Sequence, residues 1–297
     1  MPRSFRRDLR YRTEYAGLLA ALGLVDALPL GTALAWARGC ADVAHRLDKR
    51  RRETARENVR RAGIAAGPAE VNRIVRDAFR GFALVAVESL KFNRFVNEDT
   101  WPQRAVMDIP PATRAAFDDP ARGVIVCTAH FGNWEVGGRL LSFVTPVTAI
   151  ARHMNNPYTN RVMEQRNAGT RVKLTPKHDA DARRLLRALR AGDALALLID
   201  QHAREHAMRI DFFGRPAATY VTPALLHLRT GLPVVFGCCN RTGPLRFTLT
   251  LGAPIQIERA DHRDTDIRRV LEDLTHQLET AIRAHPEQYL WSQRRWR

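Results

Sequence analysis

Lysine is scarce in this chain: Lys49, Lys91, Lys173 and Lys177 are the only four among 47 basic residues, and the other 43 are Arg. Acidic residues are in deficit too, 31 against those 47, which leaves a formal charge of +16 and a pI near 10.9. Cysteine is limited to Cys40, Cys127, Cys238 and Cys239. None of these makes a C-x-x-C pair, and the adjacent two do not suit a disulfide framework, so reduced thiols in a cytosolic compartment are expected. No segment is of low enough complexity for a disordered or fibrous majority, and collagen is excluded. The start, MPRSFRRDLRYRTEY, supplies bases without the apolar core and small-residue site of a cleaved leader, so no cleaved signal is expected.

What is present is a globular composition. A chain of 297 residues with 45% hydrophobic side chains accommodates one large domain or two small ones. The surplus of Arg, whose planar fork pairs with phosphate and carboxylate, points to an acidic partner: an anionic membrane surface, an acidic protein or nucleic acid. Nucleic acid is disfavoured, because the chain shows no aromatic RNA-recognition motif, no Cys/His finger and no basic region followed by heptads.

From Ala16 to Ala37 the chain runs 22 residues with Asp26 as the only charge. That length is sufficient for a bilayer span. Its seven Leu and one Val, at roughly −0.5 kcal/mol each, compete with about +3 for Asp26, and Pro29 and three Gly weaken the helix. Arginines flank both ends, which favours both flanks on the same side and hence a helix or broken hairpin lying on, or dipping into, one leaflet. A helix that covers the core is the competing reading, with a full span behind both.

Residues 49–90 read as helical, interrupted at Gly67-Pro68, so residues 1–100 are expected to be an all-helical, membrane-associating portion. A Pro-rich connector leads to Gly123, after which the character changes. Strands are predicted at 123–129, 146–151, 171–174 and 193–199, alternating with helices at 134–143, 157–168 and 180–191. After a loop come a helix near 222–230, the apolar LPVVFGCC, the strand pattern LRFTLTL and a last helix from Thr265 to Ala284. The expected fold class is α/β: a largely parallel central sheet flanked by helices, with residues 101–297 as its core.

Ligands of an open α/β sheet gather beyond the carboxyl ends of its strands. Those positions are His130, then Arg152 and His153, then Asp200, Gln201 and His202. His130 and Glu135 stand five apart in AHFGNWE. On a continuous helix they would diverge by about 140°, so a strand-to-helix turn through Gly132 and Asn133 is expected. Helix amides would then lie beside His130, where an oxyanion forms in acyl transfer.

TAHFGNWE resembles the H-x4-D/E motif of the glycerolipid acyltransferase superfamily, and more narrowly that of the bacterial lipid A biosynthesis (lauroyl/myristoyl) acyltransferases. Further blocks are similar in order: the surroundings of Asn58 and Glu88, IARHMNNPYTNRVMEQRNAG, LLIDQH followed by FFGRPAAT, RTGLPVV, and the terminal HPEQYLWSQRRWR. The resemblance covers nearly the whole chain. It implies an enzyme at the cytoplasmic face of the bacterial inner membrane that moves a fatty acyl group from an acyl carrier protein or CoA thioester to a hydroxyl of an anionic lipid acceptor, with no cofactor beyond the donor. His130 would be the general base and Glu135 would orient it. Arg152 would bind phosphate, Asp200 would be a second orienter or an acceptor contact, and Asn133 and Gln201 would lie at the substrate.

Two features stand apart from that pattern. HAREH at 202–206 matches the H-x-x-E-H spacing of zinc hydrolases, which requires His202 and His206 on one face of a helix. Gln293 stands where the family's terminal block usually carries His, which leaves open a lipid A precursor, another glycolipid or a lysophospholipid as acceptor. A non-catalytic membrane scaffold is the alternative of another class.

Overall fold

In a computed structural model, residues 5–119, 122–151, 155–166, 170–176, 181–257 and 262–296 are described. Four helices come first: α1 (Phe5–Ala27), α2 (Leu30–Leu47), α3 (Lys49–Ala62) and α4 (Pro68–Phe95). Each boundary has a local cause. Pro29 interrupts the apolar stretch between α1 and α2, the Asp48 carboxylate caps α3 by accepting from Arg51 N, and α3 stops at Gly63 in the left-handed region. Pro68 opens α4 at a position where its missing N–H has no helical role. The 22-residue segment is therefore two helices rather than one. Among the described residues no helix is long and apolar enough to cross a membrane.

Beyond them the chain alternates: β1 (Ala105–Asp108), α5 (Pro111–Asp118), β2 (Val124–Thr128), α6 (Trp134–Leu141), β3 (Val147–Ala151), α7 (Pro157–Arg166), β4 (Val172–Pro176), α8 (Ala182–Arg190) and β5 (Ala194–Leu198). There follow β6 (Ala207–Phe212), β7 (Arg215–Tyr220), α9 (Thr222–Thr230), β8 (Val234–Gly243), β9 (Arg246–Leu251) and α10 (Arg263–Ala284). Seven strands form one sheet in the order β1-β9-β8-β2-β5-β3-β4, parallel at every pairing except β8 with β9. This is the mostly parallel, helix-flanked sheet that the alternation predicts.

Alternate residues of β2 serve both faces, as expected of a strand covered on each side. Ile125 and Cys127 pack with Leu195, Val270 and Leu274 and with Val59 and Ile74 of the N-terminal helices, while Val124 and Val126 pack with Val136, Leu140 and Phe247. The helical portion thus shares a core with the sheet.

Two elements differ from expectation. The Pro-rich connector contains β1, a four-residue edge strand too short to stand out in the sequence. The loop after β5 holds an antiparallel hairpin, β6 with β7, closed by Phe213 (φ 51°) and Gly214 (φ 67°). A two-residue turn with both φ positive is the favoured hairpin closure, but Phe in place of Asn or Gly hides it. Within that segment residues 202–206 are irregular rather than helical, and His206 sits at φ 50°. The single helical face required by the H-x-x-E-H reading does not form.

Candidate active site

The turn after β2 is held from three sides. Gly132 N donates to Gln288 O, Asn133 N donates to Cys239 O of β8, and Leu290 N donates to His130 O. Gly132 has φ +59°, and a Cβ built there would overlap the Cys239 carbonyl oxygen, so both the conformation and the space demand glycine. Asn133 then caps α6: its Oδ1 accepts from Val136 N at 3.1 Å, and its Nδ2 donates to Glu88 Oε2 at 3.0 Å. Behind it, Arg241 forks onto the fully buried Glu88 with two bonds of 2.7 Å. The Asn133 amide, expected at the substrate, is consumed in this scaffold.

His130 emerges at the carboxyl end of β2 with 14% of its side chain exposed, beside Asp200 at the end of β5, which is fully buried. The two strands are parallel neighbours, which brings residues 70 apart in sequence into contact. His130 Nδ1–H donates to Asp200 Oδ1 at 2.9 Å, and His130 N donates to Asp200 Oδ2 at 3.2 Å. The carboxylate fixes the tautomer with hydrogen on Nδ1, so Nε2 carries the free lone pair. Burial opposes a charged ring, yet the Asp200 charge and hydrogen bond outweigh it and hold His130 above its ordinary pKa. Burial likewise opposes ionised Asp200, but the charge and hydrogen bond of His130 and the bond from Gln293 together keep its pKa below the usual carboxylate value.

Glu135 is placed differently from its expected role. It is the second residue of α6, exposed, with no hydrogen bond to His130, because the turn directs the imidazole inward to the sheet edge while α6 carries Glu135 outward. Asp200 makes the orienting bond. Gln201 lies at the rim, its Nε2 3.5 Å from His130 Nε2. Arg152 and His153 lie outside the described residues.

Sequence reasoning did not find Gln293, Tyr289 and Arg295 as members of this site. Gln293 Nε2 donates to Asp200 Oδ2 at 2.7 Å, and Arg295, 2% exposed, lies close enough for its charge to be felt by Asp200 and Tyr289. The only signal was the odd residue at position 293 in a terminal block.

Trp134 meets the His130 ring edge-on at 5.0 Å between centroids and stacks on Phe82. It forms part of the wall of a cavity of about 530 Å³ whose lining is mainly apolar, including Leu22, Leu90, Ile150, Val172 and Leu198, with Glu135 also among the lining residues. A second groove of about 590 Å³ runs between α2, α3 and α4 and the terminal segment, lined by Phe79, Phe82, Leu290 and Gln293 among others. A narrow pocket containing His130 shares Trp134 with the cavity and Phe82, Tyr289 and Leu290 with the groove. Chemically, the site offers a lone-pair base of raised pKa, held by a buried carboxylate, where two largely apolar spaces meet.

The profile of the bacterial lipid A biosynthesis acyltransferases matches residues 3–297. The chain is 26% identical over 264 residues to a lipid A biosynthesis palmitoleoyltransferase of Escherichia coli (strain K12), covering 84% of this chain and 79% of that one. It is equally similar to a lipid A biosynthesis acyltransferase of Shigella flexneri. The crystal structure of the 1-acyl-sn-glycerophosphate (LPA) acyltransferase PlsC from Thermotoga maritima aligns over 85% of this chain and 97% of that one, with 12% identity and a TM-score of 0.37, too remote to bear on the site. With a profile match running from residue 3 to the last residue, the chain belongs to the bacterial lipid A biosynthesis acyltransferase family, and is thus an O-acyltransferase acting on lipid.

Proposed function

We propose that the enzyme transfers a fatty acyl chain from a thioester of acyl carrier protein or CoA to a hydroxyl of a lipid A precursor or related glycolipid. His130 Nε2 takes the proton of the acceptor hydroxyl as its oxygen attacks the thioester carbonyl. The imidazolium is held by Asp200, and collapse of the tetrahedral intermediate expels the thiolate, which regains a proton from His130. The amides of Trp134 and Glu135, which open α6 and have no partner within the helix, are suited to receive the oxyanion. Glu135, which is among the residues lining the cavity, is assigned to contact with the acceptor, and Gln201 and Arg152 to its polar headgroup. The apolar cavity takes the donor chain.

The observation that carries this reading is the bond from His130 Nδ1 to buried Asp200 at the junction of two apolar spaces. Exposed apolar side chains support action at an anionic membrane surface. Trp36, Val43 and Leu47 of α2 and Phe82 of α4 are exposed, near the Arg-rich start of α3. This fits the cytoplasmic face of the inner membrane.

The test incubates purified protein with acyl carrier protein or CoA bearing chains of graded length and a panel of lipid acceptors. Transfer to a glycolipid hydroxyl that disappears in His130→Ala is expected. Transfer that survives this substitution would reject the mechanism, and transfer confined to a lysophospholipid would replace the acceptor.

A further inference from the structure

The Asp200 oxygen that does not meet the imidazole, Oδ2, accepts from the His130 backbone N–H and from a second side chain. Gln293 Nε2 donates to Asp200 Oδ2 at 2.7 Å, approaches Asp200 O at 3.3 Å and donates to Tyr289 OH at 2.9 Å. An ionised carboxylate only accepts hydrogen bonds, so the amide nitrogen, and not the amide oxygen, must face it. The oxygen of the same amide, Oε1, is buried with no partner among the described residues. One half of the group is thus unsatisfied while the other half is fixed on Asp200.

The segment bearing Gln293 is itself fastened. Asn58 of α3 donates from Nδ2 to both Trp291 O and Gln293 O at 2.7 Å, Trp291 Nε1 donates to Pro286 O, and Leu290 N donates to His130 O. The chain terminus and the turn carrying the base are therefore one hydrogen-bonded unit.

We infer that Gln293 is a positioning residue for acyl transfer: its amide locks the Asp200 carboxylate against His130 and draws part of its negative charge away from the ring, without itself titrating. This rests on the base role given to His130 above. The titratable and charged groups around the pair include Tyr289 and Arg295 of the terminal segment, His202 two residues beyond Asp200, Glu135 on α6, and the Glu88–Arg241 pair beneath the turn. Beside them, Gln293 is a non-titrating donor in direct contact with Asp200 at 2.7 Å, with the neutral Tyr289 hydroxyl as a second partner of the same carboxylate. Arg295 directs Nη1 to Gln201 O and Ala218 O and Nη2 to Thr219 Oγ1, while its buried Nε has no partner among the described residues. Without the amide, the carboxylate would keep the His130 backbone N–H and the Tyr289 hydroxyl but lose its shortest neutral donor, so it would lean harder on the imidazole proton, the ring would stay charged to higher pH and the base form would be scarcer.

The experiment compares the wild-type enzyme with Gln293→Leu, which removes the donor, and Gln293→His, which restores a ring N–H. The His130 pKa is read by nitrogen-15 histidine NMR, with His130→Gln to assign the signal, and steady-state rates are read alongside. For Gln293→Leu the expected results are a kcat at least about tenfold lower, a KM for the acyl thioester within about twofold, and a His130 titration about one pH unit higher. Gln293→His is expected to recover most of kcat and to add a second titration. A folded Gln293→Leu with an unmoved His130 titration would overturn the inference. If that variant does not fold, a folded Gln293→His that recovers no kcat would overturn it equally. The NMR readout needs no turnover, so absence of acyl transfer in the wild type would defeat the proposed function alone.

Discussion

At the scale of single residues, the chemistry rests on which acid holds His130. The sequence placed the imidazole and two acids at the sheet edge, but spacing favoured Glu135, because nearness along the chain is what a motif displays. Contact between His130 and Asp200 follows from the pairing of β2 with β5, which a strand alternation implies only after the strand order is known. Gln293, 93 positions beyond Asp200, is further still from legibility. The raised pKa of His130 has a direct kinetic consequence. With the neutral ring as the proposed base, the acid limb of kcat/KM is expected above the ordinary His value of about 6.5. In Asp200→Asn, burial acts on the ring without the opposing charge, and the limb is expected to fall below that value in a pH–rate profile. Stability follows the same pair. The contribution of His130 is full below about pH 6.5 and is lost as pH rises through its higher folded pKa; that of Asp200 is present above about pH 3.9 and is lost as pH falls through its lower folded value.

At the scale of elements, the turn between β2 and α6 is the part the sequence foretold best. His130 and Glu135 cannot share a helix face at their spacing, and Gly132-Asn133 supplies the break. Its support was not foretold, since Glu88 and Arg241 sit on α4 and β8, 153 positions apart. Replacing Gly132 by Ala is expected to destabilise the protein by at least about 1 kcal/mol, read from the urea midpoint, because the residue has positive φ and faces a carbonyl. Arg241→Met strands the buried Glu88 carboxylate and is expected to cost about 3–5 kcal/mol by the same measurement. The break between α1 and α2 is also tied down: buried Lys91 donates to Leu28 O at 2.8 Å and Arg94 donates to Asp26 O at 3.0 Å, so cations of α4 satisfy the end of α1. Composition alone shows Asp26 as an obstacle to a span, whereas the structure shows the same place as a helix end.

At the scale of the whole molecule, the helical portion and the sheet enclose the apolar cavity together, with Leu18 and Leu22 of α1 facing Val172 and Leu174 of β4 across it. Val147 and Val172 open their strands, and Ala151 and Leu198 lie near the carboxyl edge that bears His130. The cavity therefore follows the strands for about 13 Å, the four steps from the first to the fifth residue of β3. Val172→Phe fills its deep end and is expected to move donor preference toward shorter chains, read by competition between acyl carrier proteins loaded with different lengths. The exposed Trp36 and Leu47 beside so many arginines lead to a second expectation. The protein should sediment with vesicles containing anionic lipid, lose that association as salt rises, and bind at least about tenfold more weakly in Trp36→Ala/Leu47→Ser.

The most direct measurement of the central claim is the initial rate of acyl transfer from acyl carrier protein to the lipid acceptor in Asp200→Asn, a substitution that keeps the shape of the side chain and removes its charge. A fall of roughly a hundredfold or more relative to the wild type, in a protein that remains folded, is the predicted result. A rate equal to that of the wild type would contradict the account.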